Sequence, residues 1–237
     1  MKLLLINATM KKGSTYHIGR MVAENIGNET DEIEEIFLPK AQPNFCVGCA
    51  NCFMKGAEFC PHFSYTDVII KAIEKADILI FTSPVYVYHT SGQMKTLLDH
   101  FGYMWMVHRP NETMFSKQAI VISTAAGAGM KSSMKDITDS LSYWGIGRIY
   151  TYGKGVGAIN WDGVKPKLKD KINKDMIALS RKVEKRIGKV TPNIKVKFLF
   201  YIMRIMQQKG GFNKIDRIYW ENHGWLKKGR PWIIKQT

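Results

Sequence analysis

The stretch Lys2-Leu3-Leu4-Leu5-Ile6-Asn7-Ala8-Thr9-Met10-Lys11-Lys12-Gly13-Ser14-Thr15 decides the fold. Lys2–Ile6 is a short apolar run that reads as a buried strand, and it ends in a polar, glycine-containing loop over Asn7–Ser14. A helical pattern follows from Thr15 to Ile26, with Ile18, Met21, Val22 and Ile26 on one face. The same strand, loop and helix cycle recurs along the chain. Ile78–Thr82 leads through Ser83–Gly92 to a helix from Gln93 to about Met106. Ala119–Thr124 leads through Ala125–Met130 to a helix over Lys131–Trp144, and a last strand near Arg148–Tyr152 precedes a helix over Val164–Ile187. Glu32–Leu38 alternates apolar and acidic residues as a half-buried strand does, and Ser64–Lys75 is amphipathic at helical spacing. Five strands alternating with five helices predict an α/β protein with a doubly wound parallel sheet. In such sheets ligands gather at the carboxyl ends of the strands, where Asn7–Ser14, Ser83–Gly92 and Ala125–Met130 all fall.

The chain of 237 residues is 45% hydrophobic, enough for a real core, which excludes a disordered or low-complexity protein. Its net charge of +15 is unevenly placed. Residues 1–163 carry 15 basic and 15 acidic side chains; residues 164–237 carry 20 against 5. The division predicted is a domain over 1–190, with a Cys-rich insertion at 39–61, and a basic, Trp-rich extension over 191–237. Three readings of the extension stay open: helices packed on the body, a membrane-surface element, or a nucleic-acid surface, the last disfavoured. The four apolar residues at the N-terminus are too few for a signal-peptide core of about 7–15, and no apolar run approaches the ~18–20 of a membrane span. The expectation is a cytoplasmic protein with reduced thiols.

All four cysteines lie in one window, Cys46-Val47-Gly48-Cys49-Ala50-Asn51-Cys52 and then Cys60-Pro61, a CxxCxxCx7CP pattern. Compact two-residue spacing suits three thiolates around a cubane, with a fourth closing it. Zinc and metal-free, redox-active thiols remain as alternatives. The six histidines show no ligand spacing as a group; His89, inside the second loop, reads first as a satisfied loop residue. Tyr103-Met104-Trp105-Met106 reads as core or interface before it reads as a pocket wall.

The loops themselves have distinct chemistry. Thr9, Ser14 and Thr15 supply hydroxyls around a helix start suited to a phosphate, without the GxxxxGK[ST] or GxGxxG signatures; an ordinary capped turn is the alternative. Ser83-Pro84-Val85-Tyr86-Val87 is apolar and aromatic, and Ser123-Thr124-Ala125-Ala126-Gly127-Ala128-Gly129 is made of small residues. Ser83-Pro84-Val85-Tyr86 followed by Ser91-Gly92-Gln93-Met94-Lys95 resembles the flavin-ring loop of flavodoxin-like NAD(P)H-dependent FMN oxidoreductases, over about Lys2–Gly188. The resemblance implies strand order 2-1-3-4-5. It implies FMN held at its phosphate by Thr9, Lys11, Gly13, Ser14 and Thr15, with the ring against Ser83, Pro84, Val85, Tyr86 and Val87. Thr124, Ala125, Gly127 and Gly129 would close the other side.

The flavin would carry the chemistry, with no protein catalytic residue, and NAD(P)H would be the co-substrate. The acceptor would be a quinone, nitroaromatic, free flavin or redox protein. The cysteine spacing resembles the iron-sulfur flavoprotein branch, which implies a [4Fe–4S] cluster on Cys46, Cys49, Cys52 and Cys60. Such a protein would serve as an electron carrier to ferredoxin-like partners, the second reading. A homo-oligomer with the flavin near the interface is also implied.

Overall fold

Burial sorts the strands into centre and edge. The computed structural model describes residues 1–28, 31–41 and 44–233. In chain order the elements are β1 (Lys2–Asn7), α1 (Ser14–Ile26), β2 (Glu32–Phe37), α2 (Leu38–Ala41), α3 (Asn51–Met54), α4 (Phe63–Lys75) and β3 (Ile78–Thr82). There follow α5 (Gly92–His100), β4 (Gln118–Ala125), α6 (Met130–Trp144), β5 (Arg148–Gly155), α7 (Pro166–Glu184), α8 (Ile194–Gln208) and α9 (Lys214–Asn222). All sheet pairings are parallel, in the order β2-β1-β3-β4-β5. This is the order that the flavodoxin-like resemblance implies. Nearly every residue of β1, β3 and β4 is buried, because helices cover both faces of a parallel sheet. The edge strands β2 and β5 keep the mixed pattern of half-covered elements.

Alternation of side chains divides the core in two. Leu4, Ile6, Leu79 and Phe81 face α4, α5 and α6, whose Ile69, Leu97, Ile137, Leu141 and Trp144 fill that layer. Leu3, Leu5, Ile78 and Ile80 face α1 and α7, which contribute Ile18, Val22, Ile172 and Met176. The Lys117 side chain reaches back to donate to the carbonyls of Glu74 (2.8 Å) and Ala76 (2.5 Å) at the end of α4. Burial there pushes its pKa down.

Three elements differ in extent from the sequence reading. The helix expected over Gln93–Met106 stops at His100 and is followed by a 3-10 turn at Gly102–Met104. Gly102 takes the edge of Phe53, and a β-carbon there would lie 3.0 Å from the ring. The last strand runs to Gly155, three residues past Tyr152, because it stays paired with β4 as far as Ala125. The final body helix is shorter than Val164–Ile187; it starts at Pro166, where a fixed φ suits the first helical turn, and ends at Glu184.

The residues after Thr191-Pro192 pack on the body. A third apolar cluster joins Met106 and Phe115 to Val196, Phe200, Trp220 and Trp225, with Trp232 against it. Met104 and Met106 are buried, and Trp105 stacks on Tyr143 at 4.4 Å. Trp220 stacks on Phe200 at 5.0 Å and donates its indole N–H to the His108 carbonyl (2.7 Å). Trp220→Ala removes both contacts and should destabilise the protein by ~3–5 kcal/mol in urea unfolding; a change under ~1 kcal/mol would mean the extension is dispensable for stability. Among the described residues no helix is long and apolar enough to cross a membrane.

Candidate flavin pocket and cysteine cavity

The carboxyl ends of β1, β3 and β4 open on a cavity of about 280 Å³. One wall is the β1–α1 loop, where Thr9, Lys11, Gly13, Ser14 and Thr15 all line it. Helix α1 begins at Gly13 with no side-chain cap and no acid in its first turn. Its first N–H groups therefore have no intrahelical or capping partner, and the helix dipole adds positive potential at the same place. The Lys11 ammonium donates to the Ile159 carbonyl (3.2 Å), so a cation bridges the cavity mouth. The Thr15 and Thr124 hydroxyls share a buried hydrogen bond of 2.5 Å. That bond ties the first loop to the third and leaves one of the two protons to serve it.

Pro84, Val85 and Tyr86 line the cavity from the second loop, and Thr124 and Ala125 from the third. Ser83, Val87, Gly127 and Gly129 do not line it, and three of these four have identifiable other work. Ser83 is fully buried, and its Oγ accepts from Thr90 Oγ (2.8 Å) and the Ser91 N–H (3.1 Å), which shapes the loop from behind. Val87 sits at the tip of a two-residue turn, 93% exposed. Tyr86 and His89 exchange both backbone hydrogen bonds around it, at 2.9 and 3.0 Å. Val87 (φ 47°) and Tyr88 (φ 65°) are both left-handed, a costly conformation for a β-branched residue. Such strain is typical of sites where the surroundings over-determine a loop.

Gly129 (φ 99°) starts α6, and a β-carbon on it would lie 2.7 Å from Val85 Cγ1. Gly129→Ala should force the second and third loops apart. With a left-handed penalty of ~1–2 kcal/mol, flavin affinity should fall about tenfold in a fluorescence titration. Equal affinity would show that these loops move freely.

Asn7, Tyr16, Thr82, Ala126, Val156, Ala158 and Ile159 also line the cavity and were not singled out from sequence. Asn7 accepts from Thr82 Oγ1 (2.7 Å), while its own Nδ2 is buried without a partner. Their signal was a polar residue ending each apolar strand. Val156–Ile159 form a fourth loop at the sheet rim, small-residue-rich after Gly153 and Gly155. Nearby, His17 stacks on Trp161 at 5.4 Å, and burial lowers its pKa, which favours the neutral ring at pH 7. His89 is satisfied by Asp136 at 3.1 Å.

The four cysteines converge on a second, smaller cavity of about 80 Å³. Cys46 and Cys49 lie on an exposed loop that curls through left-handed Gly48 and Ala50 into α3, which carries Cys52; Cys60 follows a 3-10 turn at Ala57–Phe59 and lines the same cavity. The Cys60 sulfur accepts the His62 N–H at 3.4 Å. Burial, and then the neighbouring Cys60, Cys46 and Cys49, push the Cys52 thiol pKa up. Cys60, His62 and His100 bring potential ligand atoms within 4.8 Å of one another. His62 Nδ1 and His100 Nε2 are 2.9 Å apart, a pairing of residues 38 apart that spacing did not reveal. Helix α5 spans from Gly92, at the end of the second loop, to His100 in this cavity, roughly 13 Å at 1.5 Å per residue.

A parallel sheet of this order, with an anion-suited helix start and apolar loops at its carboxyl edge, defines a flavodoxin-like oxidoreductase fold. The chain belongs to the NADPH-dependent FMN reductase family, whose model matches residues 1–157. It is an oxidoreductase of the FMN-dependent kind. It is 23% identical to an iron-sulfur flavoprotein of Archaeoglobus fulgidus over 223 residues, 94% of this chain and 98% of the relative. An iron-sulfur flavoprotein of Methanocaldococcus jannaschii is 35% identical over 100 residues, 42% of this chain and 51% of the relative. Among solved structures, an azoreductase from Bacillus anthracis superposes with a TM-score of 0.59 at 14% identity, covering 78% of this chain and 99% of that one.

Proposed function

We infer that the larger cavity holds FMN and that the protein passes electrons from NAD(P)H to an acceptor. The observation that carries this reading is the uncapped start of α1 facing the same cavity as Pro84, Val85 and Tyr86. A terminal phosphate would satisfy the orphan N–H groups of Ser14 and Thr15, with Thr9 and Lys11 beside it. A flat ring would lie along Pro84, Val85 and Tyr86, with Thr124 and Ala125 across from them. Bound there, FMN supplies hydride acceptance from a nicotinamide and onward electron delivery. The chain's own part is to bind, orient and shield. Tyr86 at the cavity and Val87 at the turn beside it stay exposed, which suits a homo-oligomer whose second copy covers them.

The four cysteines around one cavity favour the second reading, an iron-sulfur flavoprotein exchanging electrons with a redox protein. The residues fit a [4Fe–4S] cluster: four sulfurs share one space, and an N–H already points at one of them. The basic C-terminal segment would steer an acidic partner toward the molecule.

Anaerobic purification with a visible spectrum and metal analysis tests both readings. The expected result is one FMN and about four irons per chain, with flavin bleaching on addition of NADH or NADPH. A colourless protein that takes up no FMN on reconstitution would sink both. Flavin that stays oxidised with either nucleotide, beside a reducible cluster, would leave only the carrier.

A further inference from the structure

The C-terminal helices reach the back of the cysteine loop through one buried network. Asp216, on α9, is fully buried. It pairs with His108 Nδ1 at 2.7 Å and with Arg109, and its own N–H donates to Asn213 Oδ1 (2.8 Å) at the helix cap. Arg109 spends the rest of its donor fork on the cysteine segment, donating to the Cys52 carbonyl and to the Phe53 carbonyl (3.1 Å). Asn213 Nδ2 donates to the same Phe53 carbonyl at 3.1 Å. The Phe53 ring packs on His108 at 4.6 Å. The intervening stretch is itself gripped by the extension. Gln207 donates to the Val107 carbonyl, Trp220 to that of His108 and Tyr219 to that of Pro110, at 2.8, 2.7 and 2.8 Å.

We propose that the C-terminal helices are a clamp on the cysteine loop, with Asp216 and Arg109 as positioning residues that fix the Cys52–Phe53 segment beside the small cavity. This rests on reading the four thiols as a metal site. The loop needs such support. Residues 44–50 have no regular structure, are exposed, and bend through two left-handed positions, so little local packing orders them. Fixing a loop costs about 1–2 kcal/mol per residue in backbone entropy. A ligand set held in advance spares the metal that cost. The planar guanidinium suits the task, since it can bond one carboxylate and two carbonyls together, which a lysine ammonium cannot do in this geometry. Its charge, nearly enclosed, requires Asp216 to remain there.

The test compares wild type, Asp216→Ala and Arg109→Lys as full chains. In metal-free protein, iodoacetamide should alkylate Cys52 at least about tenfold faster in either variant, as expected if local opening becomes easier by ~1.4 kcal/mol. After anaerobic reconstitution, iron and iron–thiolate absorption should fall by more than half, with FMN content unchanged. Asp216→Ala strands a buried cation and is the harsher change. Arg109→Lys keeps a charge beside Asp216, so its melting temperature should stay close to wild type while thiol protection is lost. Arg109→Lys protein whose Cys52 reacts at the wild-type rate would overturn the clamp. So would equal loss of FMN and iron, the sign of general unfolding. If wild type takes up no iron, the cluster reading fails alone, and the alkylation rates still decide the clamp.

Discussion

Ser14→Glu should abolish FMN binding, leaving a folded protein without flavin absorption. Ser14 is 7% exposed and lines the cavity at the first turn of α1, among the N–H groups left without a cap. A carboxylate there would do two things. It would accept those N–H bonds itself, as an acidic first-turn residue does, and it would repel the phosphate. At ~4 Å each pair of unit charges costs about 4 kcal/mol at an effective dielectric of 20, about a thousandfold in affinity. Ser14→Ala sets the scale for losing the hydroxyl alone, ~0.5–1.5 kcal/mol or up to about tenfold. Fluorescence titration of apoprotein with FMN measures both, and circular dichroism checks the fold. Unchanged affinity in Ser14→Glu would move the phosphate away from α1.

The sheet was legible because its central strands leave no choice. Leu3–Ile6, Ile78–Phe81 and Ala119–Ile122 are apolar runs of strand length, buried on both faces, and each ends in a polar or small-residue loop. Ends of elements were harder, because burial has several causes. Met104 and Met106 continue the periodicity of α5, yet Met106 is buried against Phe200 and Trp220 of the extension rather than on a helix face. In the pocket, the hydroxyl and Pro-aromatic loops announced themselves by chemistry, whereas Val156–Ile159 carry no polar signature and line it through position alone. His62 and His100 meet only through the docking of α5 beside the cysteine loop.

Asp216 shows the same limit more sharply. In Lys214-Ile215-Asp216-Arg217 it reads as one acid on a solvated basic helix. In the structure its carboxylate is the centre of the network joining the extension to Arg109, His108 and the cysteine segment. Charge count alone gives no sign of this contact.

The double substitution Cys49→Ser/Cys52→Ser should reduce iron from about four to under one per chain after anaerobic reconstitution, with FMN content unchanged. All four cysteines line the small cavity, so only Cys46 and Cys60 remain there as thiol ligands. A serine hydroxyl stays protonated where a thiol ionises, and two thiolates cannot enclose a cubane that uses four. The flavin pocket should be untouched, since none of the four cysteines lines it. Cys49 is exposed and Cys52 half-buried, so the replacements remove no large packing contact and the melting temperature of the metal-free chain should change little. Wild type and variant showing the same iron content, whether four or none, would remove the cluster from these residues. Loss of visible iron–thiolate absorption in the variant alone, with a flavin spectrum intact in both, would assign the metal to this loop and separate it from the flavin site.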